Sequence, residues 1–151
     1  KVRPRLPDDG ADPAQSDLNV LYATDLDEAS ARTLPYVMEF AGAWCHVLHV
    51  RGRMADPLAE RVRREAVERE LGTVAEELRP YFGRVTVEQQ IGDPAAQVLY
   101  VSDQIEADVV VLGRKSAAFL SAPMGYTAER IVTGSRASIF LVPQPGRRNA
   151  S

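Results

Sequence analysis

Asp25 and Asp27 follow the first apolar run of the chain, residues 19–24 (NVLYAT), and Gly113-Arg114-Lys115-Ser116 follows the fourth, residues 108–112 (DVVVL). Neighbouring carboxylates suit a magnesium ion. A glycine that admits close backbone approach, free N–H groups at the start of the next helix and two adjacent cations suit a phosphate group. The segment from Gly113 runs through Ser- and Ala-rich sequence to Gly125, Tyr126 and Thr127. It reads either as an anion cradle or as an ordinary surface connection.

Other chemistry-bearing residues are few. His46 and His49 lie three apart in one apolar run, so on a strand they face opposite sides and cannot share a metal in regular geometry. No Gly-x-Ser-x-Gly elbow accompanies them, and His49 reads as a packing or hydrogen-bonding residue. Cys45 is the only cysteine. It excludes an intramolecular disulfide and a cysteine metal cluster, and its apolar setting marks it as a buried, inert thiol. Arg61, Arg63, Arg64 and Arg69 interleave with Glu60, Glu65, Glu68 and Glu70, which reads as a solvated, ion-paired helix surface in preference to an anion site.

These residues must be positioned by a small scaffold. The chain has 151 residues with 45% hydrophobic and 26% charged composition, as in ordinary one-domain globular proteins. Its formal net charge of -3, from 18 Lys+Arg against 21 Asp+Glu, argues against a protein whose main work is gripping nucleic acid. No run approaches the ~20 apolar residues of a membrane span, and no signal-peptide pattern opens the chain, so a cytoplasmic location is expected.

Apolar runs at 19–24, 44–50 (WCHVLHV), 85–90 (VTVEQQ), 108–112 and 137–142 (ASIFLV) read as strands. Helical patterns separate them. The first runs from the acids after residue 24 to about residue 41, with a kink or restart at Pro35. The second covers about 56–82, with Leu58, Val62, Ala66, Leu71, Val74, Leu78 and Phe82 as its apolar face. The third spans about 95–105, opened by Asp93 as cap and Pro94 at the first position. The fourth runs from about 126 to 133. This alternation predicts an α/β fold: an open five-stranded parallel sheet with helices on both faces. In such sheets ligands bind beyond the carboxyl ends of the strands, where the strand order reverses. Residues 1–17, rich in Pro and acids, read as a linker or disordered lead-in, 18–143 as the folded domain and 144–151 as a flexible tail.

Six features occur in a fixed order: Ala23-Thr24-Asp25, Leu48-His49-Val50, Gly92-Asp93-Pro94, the strand 107–113, Ala128-Glu129-Arg130, and a closing strand before Pro143. In this the chain resembles the universal stress protein family. The resemblance implies a Rossmann-like fold of the adenine nucleotide alpha hydrolase type with strand order 3-2-1-4-5. It implies a regulatory stress-response module, not a dedicated enzyme, and a homodimer formed through the last strands.

The resemblance also implies a site. ATP with magnesium would sit between Asp25, which matches the position that holds the nucleoside, and a loop made of Gly113, Arg114, Lys115, Ser116, Gly125, Tyr126 and Thr127. Here the sequence departs from the family pattern. Ser116 stands at the second glycine of Gly-x-x-Gly. The later Gly-Ser or Gly-Thr pair falls on Gly125-Tyr126 in one register and on Tyr126-Thr127 in the other. Leu26 and Asp27 replace the usual Gly and Ser. A Cβ where glycine is expected, a bulky ring and additional acid at the mouth imply weak or absent ATP binding, with slow hydrolysis only if a nucleotide binds. An ATP-dependent switch is the alternative reading. Another is a cytoplasmic regulatory domain tethered through the lead-in to a further domain or a transporter. A phosphoryl-accepting receiver domain is the rival fold, but Pro143-Gln144 stands where it needs a lysine.

Overall fold

The computed structural model describes residues 17–27, 31–113, 130–132 and 134–142. Its strands are β1 (Asn19–Ala23), β2 (Trp44–Arg51), β3 (Arg84–Ile91), β4 (Val109–Gly113) and β5 (Ser138–Val142). Its helices are α1 (Leu34–Met38), α2 (Pro57–Leu78) and α3 (Pro94–Gln104), with a 3-10 turn at Arg79–Tyr81. Residues 130–132 and 134 are also helical. The strands form one sheet in the order β3-β2-β1-β4-β5, and every neighbouring pair is parallel. This is the expected α/β sheet.

The sheet is covered on both faces, which is why β2 and β4 read as unbroken apolar runs. Alternate residues feed two cores. Val20, Tyr22, Cys45 and Val47 pack with Leu34 and Val37 of α1 and with Val67, Leu71, Ala75 and Leu78 of α2. Leu21, Ala23, Leu48 and Val50 pack on the other face with Ala95, Val98 and Val101 of α3 and with Ile131. Each fully buried leucine or valine contributes about 1.5–3 kcal/mol by leaving water.

The proline-led helix starts follow the sequence closely. Asp93 Oδ2 accepts from the Ala96 N–H at 2.9 Å and Asp56 Oδ2 accepts from the Ala59 N–H at 2.8 Å. Both caps have extended backbones, and a proline fills the first turn of each helix, where no N–H is needed. Pro35 likewise sits at the start of the short α1 and not inside a long helix, which is the restart expected of it. Tyr22 Oη and Thr33 Oγ1, 2.7 Å apart, tie that start to β1.

One expectation is overturned. The face of α2 that meets the sheet is Glu60, Val67, Leu71, Ala75 and Leu78. Leu58 and Val62, read as part of the apolar face, point to solvent. Spacings of four and three from Glu60 through Arg64 to Val67 and Leu71 make one continuous stripe. Leu58 and Val62 fall about half a turn away from it. Glu60 also leaves the solvated surface assigned to it, for reasons given below, while Arg64 stays at that surface, its side chain 42% exposed and paired with Glu60.

Gly72 lies in the middle of α2, and a Cβ added there meets nothing within 4 Å. Gly72→Ala is expected to stabilise the fold by about 0.5–1 kcal/mol through backbone entropy alone. Urea unfolding measures this, and a loss of stability would contradict the open helix surface. Expectations that fall on the lead-in up to residue 16, the loop 114–129 and the chain beyond residue 142 lie outside the described residues. Among the described residues no helix is long and apolar enough to cross a membrane.

Candidate functional site

The strand order reverses between β1 and β4. These two are neighbours, in register from Val20 opposite Val109 to Ala23 opposite Leu112, while their onward connections lead to opposite sides of the sheet. Thr24 and Gly113 come one step later. They stand side by side at the carboxyl end, about 5 Å apart as adjacent strands are. Asp25 follows Thr24 directly, so the topology delivers the first carboxylate and the first glycine of the predicted site to one crevice.

The turn after β1 is held from three directions. The Thr24 N–H donates to the Leu48 carbonyl at 2.9 Å, continuing the β1–β2 ladder one residue beyond the strand. Thr24 Oγ1 accepts from the Leu26 N–H at 3.0 Å. Leu26 takes a φ of 62°, a left-handed conformation that costs a non-glycine residue about 1–2 kcal/mol. Its side chain packs against the core under α1 and α2. Leu26 thus adopts the backbone that glycine would take freely, and part of its strain is offset by burial.

His49 supplies the third hold. Its Nδ1 lies 2.8 Å from the Thr24 carbonyl. A carbonyl only accepts, so Nδ1 carries the proton and donates. Nε2 is buried with no hydrogen-bond partner among the described residues. The hydrogen-bonding role read for His49 is found, with its partner now named. Thr24 enters the sequence reading only within Ala23-Thr24-Asp25, with no role of its own. A hydroxyl residue placed between a strand and an acidic turn is the signal that points to it.

Of the predicted site residues, Asp25 is half-buried in this turn and Gly113 ends β4 opposite Val142 of β5. Arg114, Lys115, Ser116, Gly125, Tyr126 and Thr127 lie outside the described residues.

The profile of the universal stress protein family matches residues 18–143. The chain belongs to the universal stress protein family. No curated protein matches it in sequence. Among solved structures it is similar to the hypothetical protein MJ0577, at 19% identity and a TM-score of 0.71, covering 85% of this chain and 96% of that one. It is also similar to a universal stress protein in complex with cAMP, at 15% identity and a TM-score of 0.62, covering 85% and 98%. A third is the universal stress protein from Archaeoglobus fulgidus in complex with dAMP, at 13% identity and a TM-score of 0.60, covering 83% and 98%. At such identities the likeness shows the Rossmann-like fold.

Within this universal stress protein domain the β2–α2 connection is fixed by a buried ion cluster. Arg51 Nη2 meets Glu60 Oε2 at 2.7 Å and Nη1 meets Oε1 at 3.1 Å. The Met54 N–H adds a bond to Oε1 at 2.9 Å, and Arg64 reaches Oε2 at 3.1 Å. Arg51 Nε is taken by Gln89. The Arg51 hydrogen bonds, then the Met54 N–H, hold the Glu60 carboxyl at about 2, below its ordinary 4.5. Arg51 and Arg64 are therefore spent on the fold and are not offered to an anion.

His46 faces the other side of the sheet, as the three-residue spacing requires. Trp44 Nε1 only donates, and it lies 2.7 Å from Thr86 Oγ1. The Thr86 hydroxyl oxygen accepts that bond and also lies 2.6 Å from His46 Nδ1. His46 Nε2–H donates to Glu88 at 2.7 Å. No serine or cysteine takes part in these hydrogen bonds. Cys45 is buried, and burial pushes its thiol up to about 12, which keeps it protonated. Among the described residues no group of three His, Cys, Asp or Glu side chains is placed to hold a metal.

Proposed function

We propose that this domain is a regulatory stress-response module whose β1–β4 crevice takes an adenine nucleotide, with a monophosphate favoured over ATP. The observation that carries the reading is the adjacency of β1 and β4, which sets the Thr24-Asp25 turn beside Gly113 at the switch point. Asp25 would hold the ribose, and the loop from Gly113 through Arg114, Lys115 and Ser116 to Gly125, Tyr126 and Thr127 would take the phosphate. The left-handed Leu26 preserves the backbone shape of the turn despite the loss of glycine. Asp25 and Asp27 at the mouth oppose a long polyphosphate tail, and a Cβ at Ser116 opposes close phosphate approach. The complexes of structurally similar family members with cAMP and dAMP support a ligand with one phosphate. The role is that of a sensor, not of a dedicated enzyme. The folded unit is taken as residues 18–143, between a lead-in and a tail.

Calorimetric titration of the chain with AMP, cAMP and Mg-ATP tests this. The expected result is binding of a monophosphate at least about tenfold tighter than of Mg-ATP, lost in Asp25→Ala. No heat with any of the three overturns the nucleotide reading, and tighter Mg-ATP overturns the preference.

The edge strand β5 supports a homodimer. Its sequence SIFLV carries no charge or proline to blunt the edge, and Leu141 is exposed. Pairing of this strand with its copy would cover that edge.

A further inference from the structure

His49 is buried, its Nδ1–H donates to the Thr24 carbonyl at 2.8 Å, and its Nε2 has no hydrogen-bond partner among the described residues. A buried polar atom without a partner destabilises a fold, so an apolar side chain would serve plain packing better. What leucine or phenylalanine could not supply is the bond to Thr24. In the β1–β2 register Thr24 comes opposite His49, one step past Ala23 and Leu48. Its N–H donates to the Leu48 carbonyl and its own carbonyl accepts from the His49 ring, so both groups turn toward β2. The peptide joining Thr24 to Asp25 is planar and trans, with its N–H opposite its carbonyl. Holding that carbonyl against His49 therefore aims the Asp25 N–H away from β2 and toward β4, the strand that Gly113 ends.

We propose that His49 is a positioning residue for the β1–β4 crevice: by gripping the Thr24 carbonyl it fixes the peptide plane leading into Asp25, and so sets Asp25 for the nucleoside monophosphate taken there. The inference rests on the nucleotide reading given above. Leu26 shows why the grip is needed. Its φ of 62° is strained for leucine, and a strained residue keeps its conformation only where its surroundings over-determine it. The Leu26 N–H is tied to Thr24 Oγ1, and the His49 bond ties Thr24 in turn to β2. Loss of the imidazole takes a donor from the carbonyl of Thr24, a residue 3% exposed, and frees the peptide plane to rotate. Leu26 then relaxes toward negative φ and carries Asp25 with it. Asparagine places an amide N–H where histidine has Nδ1 and has no atom in the place of Nε2. It therefore separates the grip from the rest of the ring.

Amide hydrogen exchange and calorimetric titration with AMP, on His49→Leu and His49→Asn in the 151-residue chain, test the grip. The expected result is that His49→Leu speeds exchange at Leu26 at least about tenfold more than at Val110 and Val111 in β4, and weakens AMP binding at least about tenfold. His49→Asn is expected to recover both to within about threefold of the natural chain. Nitrogen-15 spectra of the natural chain are expected to show the ring proton on Nδ1. A proton on Nε2 alone overturns the proposal. So does an equal change at Leu26, Val110 and Val111 in His49→Leu, which marks a general loss of stability, and so does natural AMP affinity in that variant or a failure of asparagine to recover exchange at Leu26. If His49→Leu does not fold, His49→Asn decides: exchange at Leu26 close to that of the natural chain upholds the grip, and fast exchange there overturns it. No heat from the natural chain with AMP, cAMP or Mg-ATP sinks the nucleotide reading alone, and exchange at Leu26 still decides whether His49 holds the turn.

Discussion

Glu60→Gln is expected to lower stability near neutral pH and to erase part of the acid sensitivity of the fold. The carboxylate accepts from Arg51, Arg64 and the Met54 N–H. Glutamine keeps the shape but leaves the Arg51 guanidinium, whose side chain is 7% exposed, without its counter-charge. The pH dependence fixes the sign. Folding lowers the Glu60 carboxyl from 4.5 to about 2, so its contribution is fully present above pH 4.5 and is lost as pH falls toward 2. The stability gap between the natural chain and Glu60→Gln should therefore be constant above pH 5 or so and narrow between about pH 4.5 and 2. Urea unfolding of both proteins across that range measures the gap. A gap that does not change with pH would refute the assignment.

Gly42→Ala is expected to cost about 3 kcal/mol, at the upper end for overpacking. A Cβ on Gly42 would lie 2.7 Å from the Leu18 carbonyl oxygen and 2.9 Å from Leu18 Cβ. That oxygen already accepts from the N–H groups of Ala43 and Trp44. Moving it aside would break the entry to the β1–β2 pairing. Gly42 cannot retreat easily either, because its own carbonyl accepts from the Gly83 N–H at 3.0 Å, which ties it to the entry of β3. Gly52→Ala is the control, with nothing within 4 Å of the added carbon. A loss under ~1 kcal/mol for Gly42→Ala, read from urea unfolding, would show that the backbone yields more readily than this geometry allows.

The elements whose signals are local were legible in the sequence. Residues 44–50 and 108–112 are apolar on both sides of the pleat because helices cover both, and Asp93-Pro94 writes its cap into two adjacent residues. The α2 face was not legible. Leu58 and Val62 share a spacing of four with Ala66, but only the stripe through Val67, Leu71 and Leu78 continues to the end of the helix. A charge at position 60 reads as solvated until Arg51 is brought against it across the β2–α2 connection. The site divides in the same way. Asp25 and Gly113 follow from topology, since they trail strands that the order 3-2-1-4-5 makes neighbours. The left-handed Leu26 does not, because leucine is disfavoured in that conformation and only its burial against the core helps keep it there. The orphaned Nε2 of His49 depends on what surrounds the ring, and no spacing reveals that.

Trp44 is the only tryptophan in the chain. Its indole donates to Thr86 on β3 and carries the Arg84 guanidinium 3.9 Å over its ring. The chain therefore has a built-in optical gauge at one corner of its sheet. Emission from this single indole reports whether β2 and β3 are in register there, so fluorescence can follow the opening of that edge separately from events at the β1–β4 crevice.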